Sequence, residues 1–209
     1  MRHPVPTPST PPLPVSRVRG NQRHPDAGPV APARADIEKF NALVHELYRD
    51  APQVDADAIA SVSSWLEAQP VAQRELLLQA RLGRLAELEV IRHDHDWPID
   101  PAQEHRIDLI LDYVAAENDL IPDNVPIYGY LDDALLLELA WPMLVEDIDD
   151  YRDFCHFRDE VGDRFGRPVH QIDWLRARAE EGALWEQMHR VHAHTYVEYS
   201  ASTDIFRVS

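Results

Sequence analysis

Four carboxylates fall within fifteen residues of one segment: Asp119, Asp123, Asp132 and Asp133. Oxygen-rich groups of this kind suit a hard divalent cation, Mg²⁺, Ca²⁺ or Mn²⁺, because like charges drawn together are unfavourable without a cation or strong donors between them. A cation held there would acidify a bound water, and one carboxylate would act as base, giving a divalent-metal-dependent hydrolase. The same residues also have a reading that needs no ligand. Pro122 and Pro126 fix two backbone angles and hold Ile121 and Val125 extended. Gly129 can take a positive φ just before the next helix. Asp132 and Asp133 then lie in that helix's first turn, where the dipole favours negative charge by roughly 0.3–1 kcal/mol each. Asp119 and Asp123 accept hydrogen bonds from backbone donors that the turn leaves free. Adjacent helical residues diverge by about 100°, so Asp132 and Asp133 do not easily aim at one ion, and the ligand-free reading is favoured. Tyr128 and Tyr130, on either side of Gly129, can present aromatic surface to a protein partner.

The eleven histidines add little. A di-iron helical bundle uses Glu-x-x-His on two helices. Glu186-x-x-His189 fits and Asp153-x-x-His156 nearly does, but 37 acids and 11 histidines give about two such pairs by chance. His93-Asp94-His95-Asp96 is similar to the His-Asp pair of metal phosphohydrolases, yet the distant His and Asp that complete such a site are not identifiable, and a polar helix end explains it. His45-Glu46 has Arg49 where a zincin helix has its second His. Beyond residue 35 the glycines are Gly83, Gly129, Gly162, Gly166 and Gly182, too dispersed for a phosphate-cradling loop. Ser61, Ser63 and Ser64 lack a strand–turn–helix elbow and read as a helix surface.

The elements around these residues read as helices. Asp36 can cap the first, with Ile37, Phe40, Val44 and Leu47 on one face. Asp57 can start the second, carrying Ile59, Val62 and Leu66. Pro70 opens a long third, with Leu78, Leu82 and Leu85 on a stripe, ending near His93 before Trp97-Pro98. Asp100, Pro101 and Gln103 make the strongest start signal, with Ile107, Ile110, Leu111 and Val114 on the core face of the fourth. The fifth, Leu131 to Trp141, is apolar on most sides and should be the most buried, with Pro142 kinking or ending it. A sixth starts at Asp149 or Asp150 and carries Tyr151, Phe154 and Phe157 to Gly162. The last runs from about His170 to Tyr196, with a possible break at Gly182, and residues 200–209 look like a loose end. The expectation is an all-α bundle of six to seven helices.

The 209 residues, 44% of them hydrophobic, suffice for one core. Lys and Arg total 20 against 37 Asp and Glu, a net charge of −17, which disfavours direct binding to nucleic acid or to an anionic membrane. Residues 1–35 differ from the rest: nine of the 17 prolines and five Arg against one acid, Asp26. That net +4 leaves −21 on the other 174 residues. Such a tail buries too little apolar surface to offset its ordering entropy and is expected to be disordered. A single acidic helical domain is expected over 36–209. Cys155 is the only cysteine, so no intramolecular disulfide forms, and it reads as a buried small hydrophobe. No apolar run reaches the roughly 18 residues of a membrane span. The chain is expected to be cytoplasmic.

Between the fourth and fifth helices run Asp119-Leu120-Ile121-Pro122-Asp123, then Pro126, then Gly129-Tyr130-Leu131-Asp132-Asp133-Ala134. This resembles the signature of the YkvA-like family, a bacterial domain of unknown function, with every anchor at the family spacing over 16 residues. The resemblance extends over roughly residues 100–145. Family members usually have Pro where this chain has Glu117, and an aromatic where it has Asn124; both changes make the start of the loop more polar. Glu138 and Pro142 argue against membrane insertion of the helix that follows. The resemblance implies a helical hairpin around a rigid loop and implies no reaction. The expected function is therefore a non-enzymatic interaction or regulatory module without a cofactor, whose acidity favours a basic protein partner. The metal-dependent hydrolase is the alternative.

Overall fold

The computed structural model describes residues 11–15, 32–116, 120–121 and 128–201, with no side-chain description at Asp163 and over 191–201. Among the described residues there are seven α-helices and no strand, the all-α class expected. They are α1 (Arg34–Leu47), α2 (Ala56–Glu67), α3 (Val71–His93), α4 (Pro101–Val114), α5 (Leu131–Ala140), α6 (Val145–Phe165) and α7 (Gln171–Ala201), with a 3-10 turn over Trp141–Met143. Packing divides the chain into two compact units, Met1–Asp94 with Ile99–Asp149, and His95–Pro98 with Asp150–Ser209. The sequence pattern over 36–209 does not announce that subdivision.

In the first unit α5 is the centre. Every residue from Leu131 to Ala140 except Glu138 is buried, as a short helix apolar on most sides must be. It packs chiefly on α3, and also on α1 and α4. Phe40, Val44 and Leu47 of α1, Ile59, Val62 and Leu66 of α2, and Ile107 and Ile110 of α4 are buried at the spacing their sequences suggest. In α3 the buried stripe is Leu77, Leu78, Arg81, Leu88 and Ile91, whereas Leu82 and Leu85, expected there, are half-buried.

The helix starts follow side-chain acceptors. Asp100 accepts from the N–H groups of Ala102 (2.8 Å) and Gln103 (3.0 Å), with Pro101 in the first turn, as its sequence suggests. Those donors hold its carboxyl below the usual carboxylate range. The starts of α1 and α2 differ from expectation. Asp55, not Asp57, caps α2 by accepting from Ala58 N–H at 2.7 Å. α1 starts at Arg34, so Asp36 lies in its first turn and pairs with Lys39 at 3.0 Å.

Of the N-terminal tail, residues 11–15 and 32–35 are among those described. Residues 11–15 are ordered against the first unit, with Leu13 only 5% exposed. Residues 1–10 and 16–31 lie outside the described residues. The compositional argument weighs a segment's average, and one apolar anchor flanked by prolines with pre-set φ is ordered at less entropic cost than that average.

In the second unit Trp97 is the hub. Its ring meets Tyr151 (centroids 5.6 Å), Phe154 (5.1 Å) and Trp174 (5.3 Å). The backbone carbonyl of Asp96 accepts from Gln171 N–H at 3.0 Å, and its carboxylate meets His170 at 2.9 Å. Asp173, in the first turn of α7, takes both arms of Arg167 (2.9 and 2.6 Å) and the N–H of His170 (3.1 Å), which hold its carboxyl at about 2. α6 starts at Val145, ahead of the expected Asp149, and continues past Gly162 to Phe165. It ends where Gly166 takes φ 60°, the left-handed C-terminal signal. α7 runs unbroken through Gly182 to Ala201. Cys155 is half-buried rather than buried, with Arg158 3.6 Å from its sulfur. Among the described residues no helix is long and apolar enough to cross a membrane.

Candidate functional site

Of the four carboxylates of the signature, Asp132 and Asp133 are among the described residues. Asp119, Asp123, Pro122 and Pro126 lie outside them, as do Glu117 and Asn124. Asp132 and Asp133, in the first turn of α5, are both buried. Asp132 Oδ2 accepts from Tyr113 Oη at 2.9 Å and from Ile121 N–H at 3.1 Å, while Leu120 N–H donates to the same Tyr113 oxygen at 3.2 Å. The carboxylate thus ties the end of α4 and the residues after it to the start of α5. Burial raises the pKa of Asp132, against the opposing effect of the Tyr113 and Ile121 donors. The backbone N–H groups of Asp132 and Asp133 add to those donors, and Oδ1 has no geometrically formed hydrogen bond among the described residues.

Residues 128–131 form a hydrogen-bonded turn into α5, with Leu131 N–H donating to Tyr128 O (2.9 Å) and Ala134 N–H to Tyr130 O (3.1 Å). Gly129 is buried within it. The two tyrosines separate here. Tyr130 is 53% exposed, whereas Tyr128 is buried and its hydroxyl donates to Glu67 on α2. Tyr128 therefore does not present aromatic surface, contrary to expectation. A side chain that follows two prolines and precedes a glycine reads as exposed, but the turn folds it back under the chain.

Burial and then the Glu67 carboxylate push the Tyr128 hydroxyl up to about 12. The folded chain keeps this proton above pH ~10, where an unfolded tyrosine loses it, so the stabilisation is complete below pH ~10 and is lost toward pH ~12. Tyr128→Phe is expected to lower stability by about 1 kcal/mol at neutral pH. It should also flatten the alkaline limb of a denaturant-midpoint profile; an unchanged limb would detach Tyr128 from that titration.

Other sequence candidates are taken up structurally. His93 Nδ1 lies 2.8 Å from Glu89 O on its own helix, and Asp96 serves the second unit. His189 packs on Trp185, ring centroids 4.5 Å apart. Among the described residues no three His, Cys, Asp or Glu side chains are grouped to hold a metal ion. Two features escaped the sequence reading. Tyr113 lies three residues after Ile110 on the core-facing side of α4, a spacing that signals its inward direction. A pocket lined by Phe40, Leu43, Tyr113, Ala116 and Leu120, with Asp36 and Lys39 also lining it, adjoins the Asp132 network through Tyr113. That pocket joins α1 to residues beyond α4, and no local pattern encodes it. No protein-family model matches this chain, and neither a curated protein nor a solved structure is found to be similar to it.

Proposed function

We propose that this protein is a non-enzymatic interaction or regulatory module of the YkvA-like kind, cytoplasmic, with a basic protein as partner. The observation that carries the reading is the inward engagement of the signature. Asp132 binds Tyr113 and the backbone of Ile121, and Tyr128 binds Glu67, while Tyr130 between them in the chain stays exposed. Chemistry on a substrate requires groups converging on a reachable point; Asp132 instead converges with the chain's own donors. A net charge of −17 steers a cationic partner toward the surface and opposes direct contact with nucleic acid.

The test uses the full chain in two arms. In the first, capture of a basic partner is compared for the wild type and Tyr130→Ala. The reading expects loss of capture in the variant and in salt of about 0.5 M, which screens exposed charges, with the melting midpoint unchanged. In the second, the midpoint is measured with EDTA, Mg²⁺, Ca²⁺ and Mn²⁺. A cation at about 100 times its dissociation constant adds roughly 2.7 kcal/mol. A midpoint raised by one of these metals, and returned to baseline by Asp132→Asn, would replace this reading with the metal-dependent hydrolase.

A further inference from the structure

Among the described residues Arg81 is the largest fully buried side chain, 1% exposed in the middle of α3, and each of its three nitrogens has a different acceptor. Nε meets Glu138 Oε2 of α5 at 2.9 Å, Nη1 meets Leu77 O one turn back at 2.8 Å, and Nη2 meets Pro11 O at 2.8 Å. The third acceptor comes from 70 residues away in sequence. Beside it Leu13 is 5% exposed, and Val15 N–H closes a tight turn on Leu13 O at 2.8 Å. Pro11-Pro12-Leu13-Pro14 is thus held by a charged donor on a backbone carbonyl and by one buried aliphatic side chain between prolines. A chain stiffened by proline loses little entropy on docking, and proline has no backbone N–H that would need a partner there.

We propose that the face of α3 and α5 bearing Arg81 is a receptor for a Pro-Pro-Leu-Pro peptide, occupied in cis by residues 11–15. This inference is independent of the function proposed above. Glu138 fixes the guanidinium from one side, so its remaining fork is aimed at the peptide carbonyl before the ligand arrives. The residues after the docked segment, 16–31, tether it to α1. A tethered ligand of this length competes at an effective concentration on the order of millimolar, so a free peptide gains access only when the tethered copy is weakened.

The experiment uses the full-length chain and a fluorescein-labelled peptide spanning residues 9–17 of this sequence as the probe, read by anisotropy. Leu13→Asp in the protein releases the tethered copy. The expected result is saturable binding at least about tenfold tighter to this variant than to the wild type, by relief of the tethered competitor. The same peptide carrying Leu13→Asp should not bind. Arg81→Lys in the released protein should weaken binding, because an ammonium cannot hold three acceptors in a planar fork. Leu13→Ala, which leaves the charge unaltered, provides a second released protein with an intermediate gain. Equal peptide affinity for the wild type and both folded variants would overturn the proposal, and so would absence of binding to either variant when circular dichroism shows native helicity.

Discussion

Replacement of Trp97 by alanine is expected to cost about 3–5 kcal/mol, the range for removing a large aromatic from a packed core. Trp97 lies in a four-residue segment, His95–Pro98, that belongs by packing to the second unit although its neighbours in sequence belong to the first. Its indole meets three other aromatic rings with interplanar angles of 67°, 33° and 64°, so edge and face contacts are both lost on truncation. Tyr151, Phe154 and Trp174 are each buried. The measurement is hydrogen exchange over residues 150–174 with near-ultraviolet circular dichroism in parallel. Protection there should fall by several kcal/mol and the aromatic signal should diminish. A loss under about 1 kcal/mol would mean that Trp97 is replaceable padding.

The sequence expectations that hold are those resting on local physics. Asp100 has a side-chain acceptor, a following proline and nothing competing for either, so its helix starts where the pattern places it. α5 is apolar on nearly every face, and only a central position satisfies that. Long-range partners are what local reading misses. Asp132 and Asp133 look like exposed first-turn acids, because the dipole alone explains them; the donors that make burial of Asp132 tolerable come from Tyr113 and Ile121. Tyr128 is hidden for a similar reason, since Glu67 lies 61 residues away. Gly182 does not break α7, because one glycine costs only about 1 kcal/mol in a helix of 31 residues. Arg81 falls on the stripe where Leu82 and Leu85 were expected to dominate. Only the arrival of Glu138 and Pro11 makes an arginine acceptable there.

The second large effect separates scaffold from metal ligand at one residue. Asp132→Ala removes the acceptor for Tyr113 Oη and Ile121 N–H in a buried site, and each orphaned donor costs about 1–3 kcal/mol, so a loss of roughly 2–5 kcal/mol is expected. Asp132→Asn is expected to cost less, about 1–3 kcal/mol at pH 7. The amide oxygen replaces Oδ2 as acceptor, but the amide nitrogen brings N–H donors to the position of Oδ1, which has no hydrogen-bond partner among the described residues. The sign of the pH dependence follows from burial raising this pKa in the folded state. Below the ordinary value of 3.8 the carboxyl is protonated whether the chain is folded or not, and it contributes no pH dependence. As pH rises beyond that value the unfolded chain ionises first, so the native state loses stability until the folded carboxyl ionises too. Asparagine has no such titration. A difference plot of wild type minus Asp132→Asn should therefore descend with pH from the acidic range and then level. A metal ligand gives the opposite pattern with its cation present, since deprotonation favours binding and the difference then rises with pH. A descending difference in EDTA that added Mg²⁺ or Mn²⁺ leaves unaltered establishes Asp132 as the clamp between α4 and α5; a difference that rises only when the cation is added makes it a ligand.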